Sequence, residues 1–174
     1  WVDFVAGELP LLQQAGGGQW FINIALSLTG WMRGGPAKAT VVASCLFGMV
    51  SGSPSASVAT IGVVSIPLMM STGYPARFAG AVESVAGVGG QFMPPVMGAI
   101  AFIMAEWLNI PYSQIAIAAF FPALLYYLVL YASIHFEANK LNLQAIPRSE
   151  LPSFLSNFKK GWFYILPLAA LIYF

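Results

Sequence analysis

The residues best suited to chemistry in this chain are oxygen donors rather than strong acids or bases. They cluster in "GMVSGSPSASVATIG" (48–62) and in "AGVGGQFMPP" (86–95). Hard cations such as Na⁺ prefer oxygen ligands. The first stretch offers the hydroxyls of Ser51, Ser53, Ser55 and Ser57 with the backbone carbonyls around Gly52; the second adds Gln91 and the carbonyls of Gly87 and Gly90. The expected cation ligands are therefore Ser51, Gly52, Ser53, Ser55, Gly87, Gly90 and Gln91. An anionic group would lie beside them against Pro54, Ser55, Ser57, Gln91 and Pro94, near the positive end of a half-helix opening at Ser55. The competing reading is that these small residues only let helices pack closely, as they do in membranes.

Glu83 is the single acidic residue inside a predicted span, which makes it a candidate proton site or ion ligand. It also lies six residues beyond Arg77, about 9 Å along a helix, so snorkelling or pairing with that arginine explains it equally well. Cys45 in "VVASCLFG" reads as a packing residue, and one cysteine excludes an internal disulfide. His135 falls at a helix end and reads as interfacial, while Asn23 and Thr29 read as donors across helices. A serine hydrolase would need a histidine beside the serine cluster; the sole histidine lies roughly 20 Å away in depth. No cofactor is expected beyond a coupling ion, Na⁺ or H⁺.

The elements that must position these groups are set by composition. Only 7% of the 174 residues are charged and 59% are hydrophobic, against roughly 25% charged in a soluble domain. The chain reads as an all-α integral membrane protein in a lipid bilayer. Its seven basic residues are scattered rather than gathered in a stripe, so no nucleic acid partner is expected. Leu9–Met32, Phe78–Ala105 and Tyr112–Phe136 are long enough to span, and another span starts near Gly161. The uncharged run Ala39–Ala76 is too long for one crossing. Without its polar centre it leaves two arms of about 12 to 15 residues, each too short for a full crossing. A re-entrant hairpin fits, and it puts all seven Lys and Arg residues on the cytoplasmic side. Ser51 follows Lys38 by thirteen residues and Gly90 follows Arg77 by thirteen, so both interruptions are expected about 20 Å deep. Gly87, Gly89, Gly90, Pro94 and Pro95 should unwind the second helix there.

Three stretches carry a family resemblance: "RGGPAKATVVASCLFGMVSGSPSASVATIG", "GYPARFAGAVESVAGVGGQFMPPVMGAIAFIMAEW" and "HFEANKLNLQAIPRSELP". With them the chain resembles the large membrane subunit of the tripartite ATP-independent periplasmic (TRAP) transporters, of the fused type that works with a TAXI-class binding protein. The resemblance implies the first half of an inverted-repeat elevator transporter, importing a carboxylate-bearing small organic acid on an ion gradient, with Na⁺ the expected ion. It implies a periplasmic binding protein and a small membrane subunit as partners, the latter fused in the full-length chain. The implied location is the bacterial or archaeal cytoplasmic (inner) membrane, crossed several times. The second hairpin and the rest of the pocket would lie in a longer protein of which this is a fragment. The expected divisions are a scaffold helix with its loop (1–32), the hairpin (33–77), the broken helix (78–106), a spanning helix (107–136), a cytoplasmic amphipathic segment (137–160) and the start of a further span (161–174). A channel with the hairpin loop as its filter is the alternative.

Overall fold

The computed structural model describes residues 17–143, 145–147 and 151–161, and the described residues form helices and connecting turns with no strand. In chain order the helices are α1 (Gly17–Thr29), α2 (Gly35–Ser51), α3 (Pro54–Thr60), α4 (Gly62–Ser71), α5 (Ala76–Gly89), α6 (Ala99–Leu108), α7 (Tyr112–Lys140) and α8 (Phe154–Gly161). The first sixteen residues and 162–174 lie outside the described part, so the span expected from Leu9 is seen only as α1, and the one expected from near Gly161 lies outside the described residues.

α2 and the bent pair α3–α4 form the hairpin, and three consecutive residues make its turn. Gly52 ends α2 in the left-handed conformation (φ +58°), its N–H bonded to the Gly48 carbonyl at 2.8 Å. Ser53 caps the next helix, its Oγ accepting from the Ala56 N–H at 3.4 Å, and Pro54 occupies the opening turn. The serine-rich stretch is therefore not a structureless loop: only Gly52 and Ser53 are non-helical between α2 and α3. The short polar residues that read as a surface loop are a helix stop, a cap and a helix start. The return arm is bent by 56° between α3 and α4. The bend falls at Ile61, and Gly62, which follows it, lies against Glu83: a Cβ there would stand 3.1 Å from Glu83 Cγ.

α5 runs between the hairpin and α7, packing on α2, α3 and α4 on one side and on α7 on the other. Ala37, Val41, Met69, Ala79, Val82, Ala86, Ala123 and Tyr127 fill this core. α1 packs on α2 and α4 through Trp20, Phe21, Ile22 and Phe47, and α8 lies along α1, where the Trp20 indole donates to the Asn157 carbonyl at 2.7 Å. The segment expected to be amphipathic (137–160) thus contains most of α8 as well as the last residues of α7.

The stretch 78–106 holds most of α5 and of α6, with Gly90–Gly98 between the two helices. α6 turns at Asn109 (φ +51°) toward α7. α7 is the one described helix that is by itself long and apolar enough to cross a membrane; α3 and α4 pass the same test when taken together. At 1.5 Å per residue it measures about 43 Å. The exposed surface of α6 and α7 is apolar, with Ile100, Trp107, Ile117, Phe121 and Val129 all outward. Among the described residues Asn23 and Thr29 bond within their own helix and not across helices: Asn23 Oδ1 accepts from Gln19, and Thr29 Oγ1 donates to the Ala25 carbonyl one turn back.

Candidate functional site

The tip of the hairpin and the break between α5 and α6 touch, backbone against backbone. A Cβ on Gly48 would lie 2.6 Å from Gly90 Cα, and one on Gly90 would lie 2.6 Å from Gly48 Cα. Gly52 lies against the Met97 carbonyl oxygen, with no room for a side chain. The partner of Gly90 is thus Gly48, about one turn before the expected Ser51, because the break is not a simple gap in a straight helix. From Gly90 the chain continues past the tip, so that Met97 and Gly98 are the residues that meet Gly52.

Carbonyl oxygens converge at this contact. The Gly98 N–H donates to the Gln91 carbonyl at 2.7 Å, and a Cβ on Gly98 would stand 3.4 Å from Gly52 O and 3.6 Å from Gln91 O. On the other side of the tip, a Cβ on Gly87 would meet Pro54 O at 3.4 Å and Ser57 Oγ at 3.6 Å. Ser57 is fully buried and its hydroxyl has no partner among the described residues, as is also true of the buried Thr60 hydroxyl three residues on. Buried hydroxyls are almost always paired, so these two are the polar groups of α3 with hydrogen-bonding capacity to spare.

The expected residues separate into two groups. Gly52, Pro54, Ser57, Gly87, Gly90 and Gln91 lie at the contact. Ser51, Ser53 and Ser55 bond to one another instead: Ser53 N–H donates to Ser51 Oγ at 3.4 Å, and the Ser53 and Ser55 hydroxyls are 3.1 Å apart, with Ser55 exposed. Pro94 is half-buried within the break, where the Pro94–Pro95 bond is cis. Beside the contact opens a cavity of about 630 Å³, lined by Gly52, Gln91, Met97, Gly98 and the facing residues of α6 and α7, Gln114 among them.

Glu83 lies one turn before Gly87, wholly buried between the two arms of the hairpin. Ser44 of α2 donates to its Oε1 at 3.1 Å, and Ser65 of α4 donates to its Oε2 at 2.6 Å. Arg77 is exposed, and the one ion pair among the described residues is Lys140–Glu137, so Glu83 neither snorkels nor pairs with that arginine. At the far end of α2 Lys38 is also buried. Its Nζ donates to His135 Nδ1 at 3.1 Å and sits 4.9 Å above the Tyr131 ring, so His135 joins two helices rather than only facing an interface. Near it, in the turn after α4, burial and the Glu137 carboxylate push the Tyr74 phenol up to about 12. The thirteen residues from Lys38 to Ser51 place this histidine about 20 Å from the serine tip, too far to serve as its base.

Several residues that build the site carry weaker sequence signals. Ser44 and Ser65 are lone serines in apolar arms. Tyr112, Tyr126 and Tyr127 of α7 place their hydroxyls on carbonyls of the broken helix. Their signal is a buried phenol in an apolar span, which must find an acceptor.

The chain is similar to known proteins along nearly its whole length. The family model "Tripartite ATP-independent periplasmic transporter, DctM component" matches residues 4–174. The chain is 32% identical over 151 residues, 87% of its length, to the C4-dicarboxylate TRAP transporter large permease protein DctM of Pseudomonas aeruginosa, and covers 35% of that protein. It is 35% identical over 126 residues, 72% of its length, to the protein of the same name from Vibrio cholerae, covering 27% of it. A shorter match, 39% identical over 74 residues and covering 42% of the chain and 12% of the relative, is to the isethionate TRAP transporter permease protein DctMQ of Oleidesulfovibrio alaskensis. The chain thus spans about a third or less of the length of these relatives. All three are named as permeases, in keeping with a protein that is not an enzyme. A chain matched over nearly its whole length by that model belongs to the DctM component family of the TRAP transporters.

Proposed function

We propose that this chain is the first half of the membrane permease of an ion-coupled importer for a small organic acid, and that the ion binds where the hairpin tip meets the α5–α6 break. The observation that carries this reading is the backbone contact of Gly48 with Gly90 and of Gly52 with Met97, beside the unpartnered hydroxyl of Ser57. Non-helical backbone at membrane depth persists only where it is buried in protein or lines a polar cavity. Here it does both. Gly52 O, Gln91 O and Ser57 Oγ are oxygen ligands of the kind Na⁺ takes, and the anionic solute would lie beside the ion against Pro54, Ser55, Ser57, Gln91 and Pro94.

On this reading the hairpin is re-entrant, the protein crosses the inner membrane several times, and the hairpin with the broken helix moves as one body in an elevator cycle. A periplasmic binding protein of the TAXI type delivers the solute, and a small membrane subunit, fused in the full-length chain, completes the permease. The names of the relatives, C4-dicarboxylate and isethionate transporters, support an organic acid as solute. The test is solute uptake by the full-length permease with its binding protein in proteoliposomes, under an imposed Na⁺ gradient or an imposed proton gradient. Uptake that follows the proton gradient and ignores Na⁺ would overturn the sodium assignment.

One observation favours a second reading of the coupling. Glu83 is buried with two serine donors and no basic partner among the described residues, which suits a carboxyl that takes up and releases a proton during the cycle.

A further inference from the structure

The α5–α6 break requires support that its own chain cannot supply. Pro94 and Pro95 have no N–H to donate, and the Gly90 N–H turns to Gly87 O three residues back, at 3.2 Å, instead of to Ala86 O. Ala86 O and the carbonyls beyond the break therefore take donors from elsewhere, while Val85 O lies inside α5 and gains an additional one. α7 supplies them. Tyr127 donates to Ala86 O at 3.1 Å and Tyr126 to Val85 O at 2.8 Å, on the inner side; Tyr112 lies between Pro95 O, at 2.9 Å, and Val96 O, on the outer side.

The spacing makes this one device rather than three contacts. Tyr112 precedes Tyr126 and Tyr127 by fourteen and fifteen residues, about four turns, so the adjacent pair flanks the direction in which Tyr112 leaves α7, about 21 Å further along it. α7 is continuous where α5–α6 is not. A second feature of the sequence fits the same purpose: a Cβ at Gly89 would stand 2.6 Å from Tyr127 Cζ and 2.9 Å from Tyr126 Cε1, so the tyrosines reach the carbonyls only because residue 89 has no side chain. Phe102 stacks on Tyr112 with ring centroids 4.5 Å apart, which fixes the outer phenol in place.

We propose that Tyr112, Tyr126 and Tyr127 are positioning residues: α7 acts as a splint whose phenols hold the break in the shape in which it meets the hairpin tip. The importance of that shape for coupling rests on the reading of the break as the ion site. The splint itself does not. None of the three hydroxyls touches the ion or the solute in this scheme; they occupy the carbonyls at the margins of the break and leave Gly52 O and Gln91 O to form the site.

The test is hydrogen–deuterium exchange on the full-length permease in nanodiscs, comparing wild type with Tyr112→Phe, Tyr127→Phe and the triple Tyr→Phe variant. Phenylalanine keeps the ring packing and removes only the hydroxyl. The amides of 90–98 should exchange about threefold to tenfold faster in each single variant, while those of α2 stay as in wild type. Gly89→Ala, which keeps all three hydroxyls but displaces Tyr127, should give the same pattern. Wild-type exchange across 90–98 in the triple variant would overturn the proposal, and so would equal acceleration throughout α2 and α5, since the hydroxyls would then support the whole fold. The same samples titrated with NaCl against choline chloride separate the two claims. If Na⁺ protects 90–98 in wild type, the Tyr112→Phe midpoint should move up by a similar threefold to tenfold, and an unmoved midpoint would overturn the positioning role. If Na⁺ protects nothing in wild type, the sodium site fails, and the ion-free exchange decides on the splint alone.

Discussion

Gly48 and Gly90 meet at van der Waals distance through their α-carbons, the first on the outgoing arm of the hairpin and the second where α5 unwinds. Each position is glycine for the same reason: a methyl group on either would stand 2.6 Å from the other residue's Cα. Neither backbone can retreat without opening the core made by α2, α5 and α7.

Gly48→Val or Gly90→Val should therefore separate tip from break. Overpacking of this kind costs about 1–3 kcal/mol, enough to shift the site without preventing membrane insertion. Uptake is expected to fall more than tenfold while the amount of permease in the membrane fraction stays within about twofold of wild type. Wild-type uptake in either variant would show that the contact has no part in transport.

Ser57→Ala separates a ligand from a packing residue. Its hydroxyl is buried without a partner, so removing it should leave the thermal stability of the ligand-free permease unchanged or slightly raised, by up to about 1 kcal/mol. If the hydroxyl binds ion or solute, the concentration giving half-maximal uptake should rise about threefold to tenfold. A loss of stability with unchanged half-saturation would contradict the assignment.

Glu83 ties the two hairpin arms to α5 through Ser44 and Ser65. Glu83→Gln can still accept from one serine and donate to the other, so the fold should survive. Glu83→Leu leaves both serine hydroxyls without acceptors and should cost about 2–4 kcal/mol in a denaturation measurement. With Na⁺ as the coupling ion, Glu83→Gln is expected to keep Na⁺-driven uptake within about threefold. Abolished uptake in a Glu83→Gln variant of normal stability would assign the coupling to a proton on this carboxyl.

Lys38 holds the opening of the hairpin to the last turns of α7 through His135 and Tyr131. Lys38→Ala removes the aliphatic stem as well as the charge, and should lower stability by about 1–3 kcal/mol, measured as a fall in melting temperature of the purified permease. Lys38→Arg keeps the charge and the cation–π contact and should recover part of the loss. An unchanged melting temperature in Lys38→Ala would mean that the buried ammonium only balances its own desolvation.

Much of the architecture is legible in the residue types. The charge count alone argues for a membrane protein, the polar centre of an overlong apolar run argues for a hairpin, and glycines followed by a proline pair argue for a broken helix. These are local effects: a Gly-Ser-Pro triplet stops, caps and restarts a helix whatever surrounds it, and a prolyl nitrogen lacks its hydrogen everywhere. The family match over residues 4–174 agrees with that reading of the chain as a TRAP permease segment.

Which residues meet was decided by packing. Equal counts of thirteen from Lys38 and Arg77 suggested Ser51 opposite Gly90, yet Gly48 is the partner, because the path of the chain through 90–98 is set by the Gly52–Met97 contact and by the tyrosines of α7. Spacing along a helix measures depth only while the helix lasts. The choice of Ser44 and Ser65 over Arg77 as partners of Glu83 has the same origin: in an apolar interior a carboxyl bonds with the donors that neighbouring helices bring to it, and these lie 39 and 18 residues away in sequence.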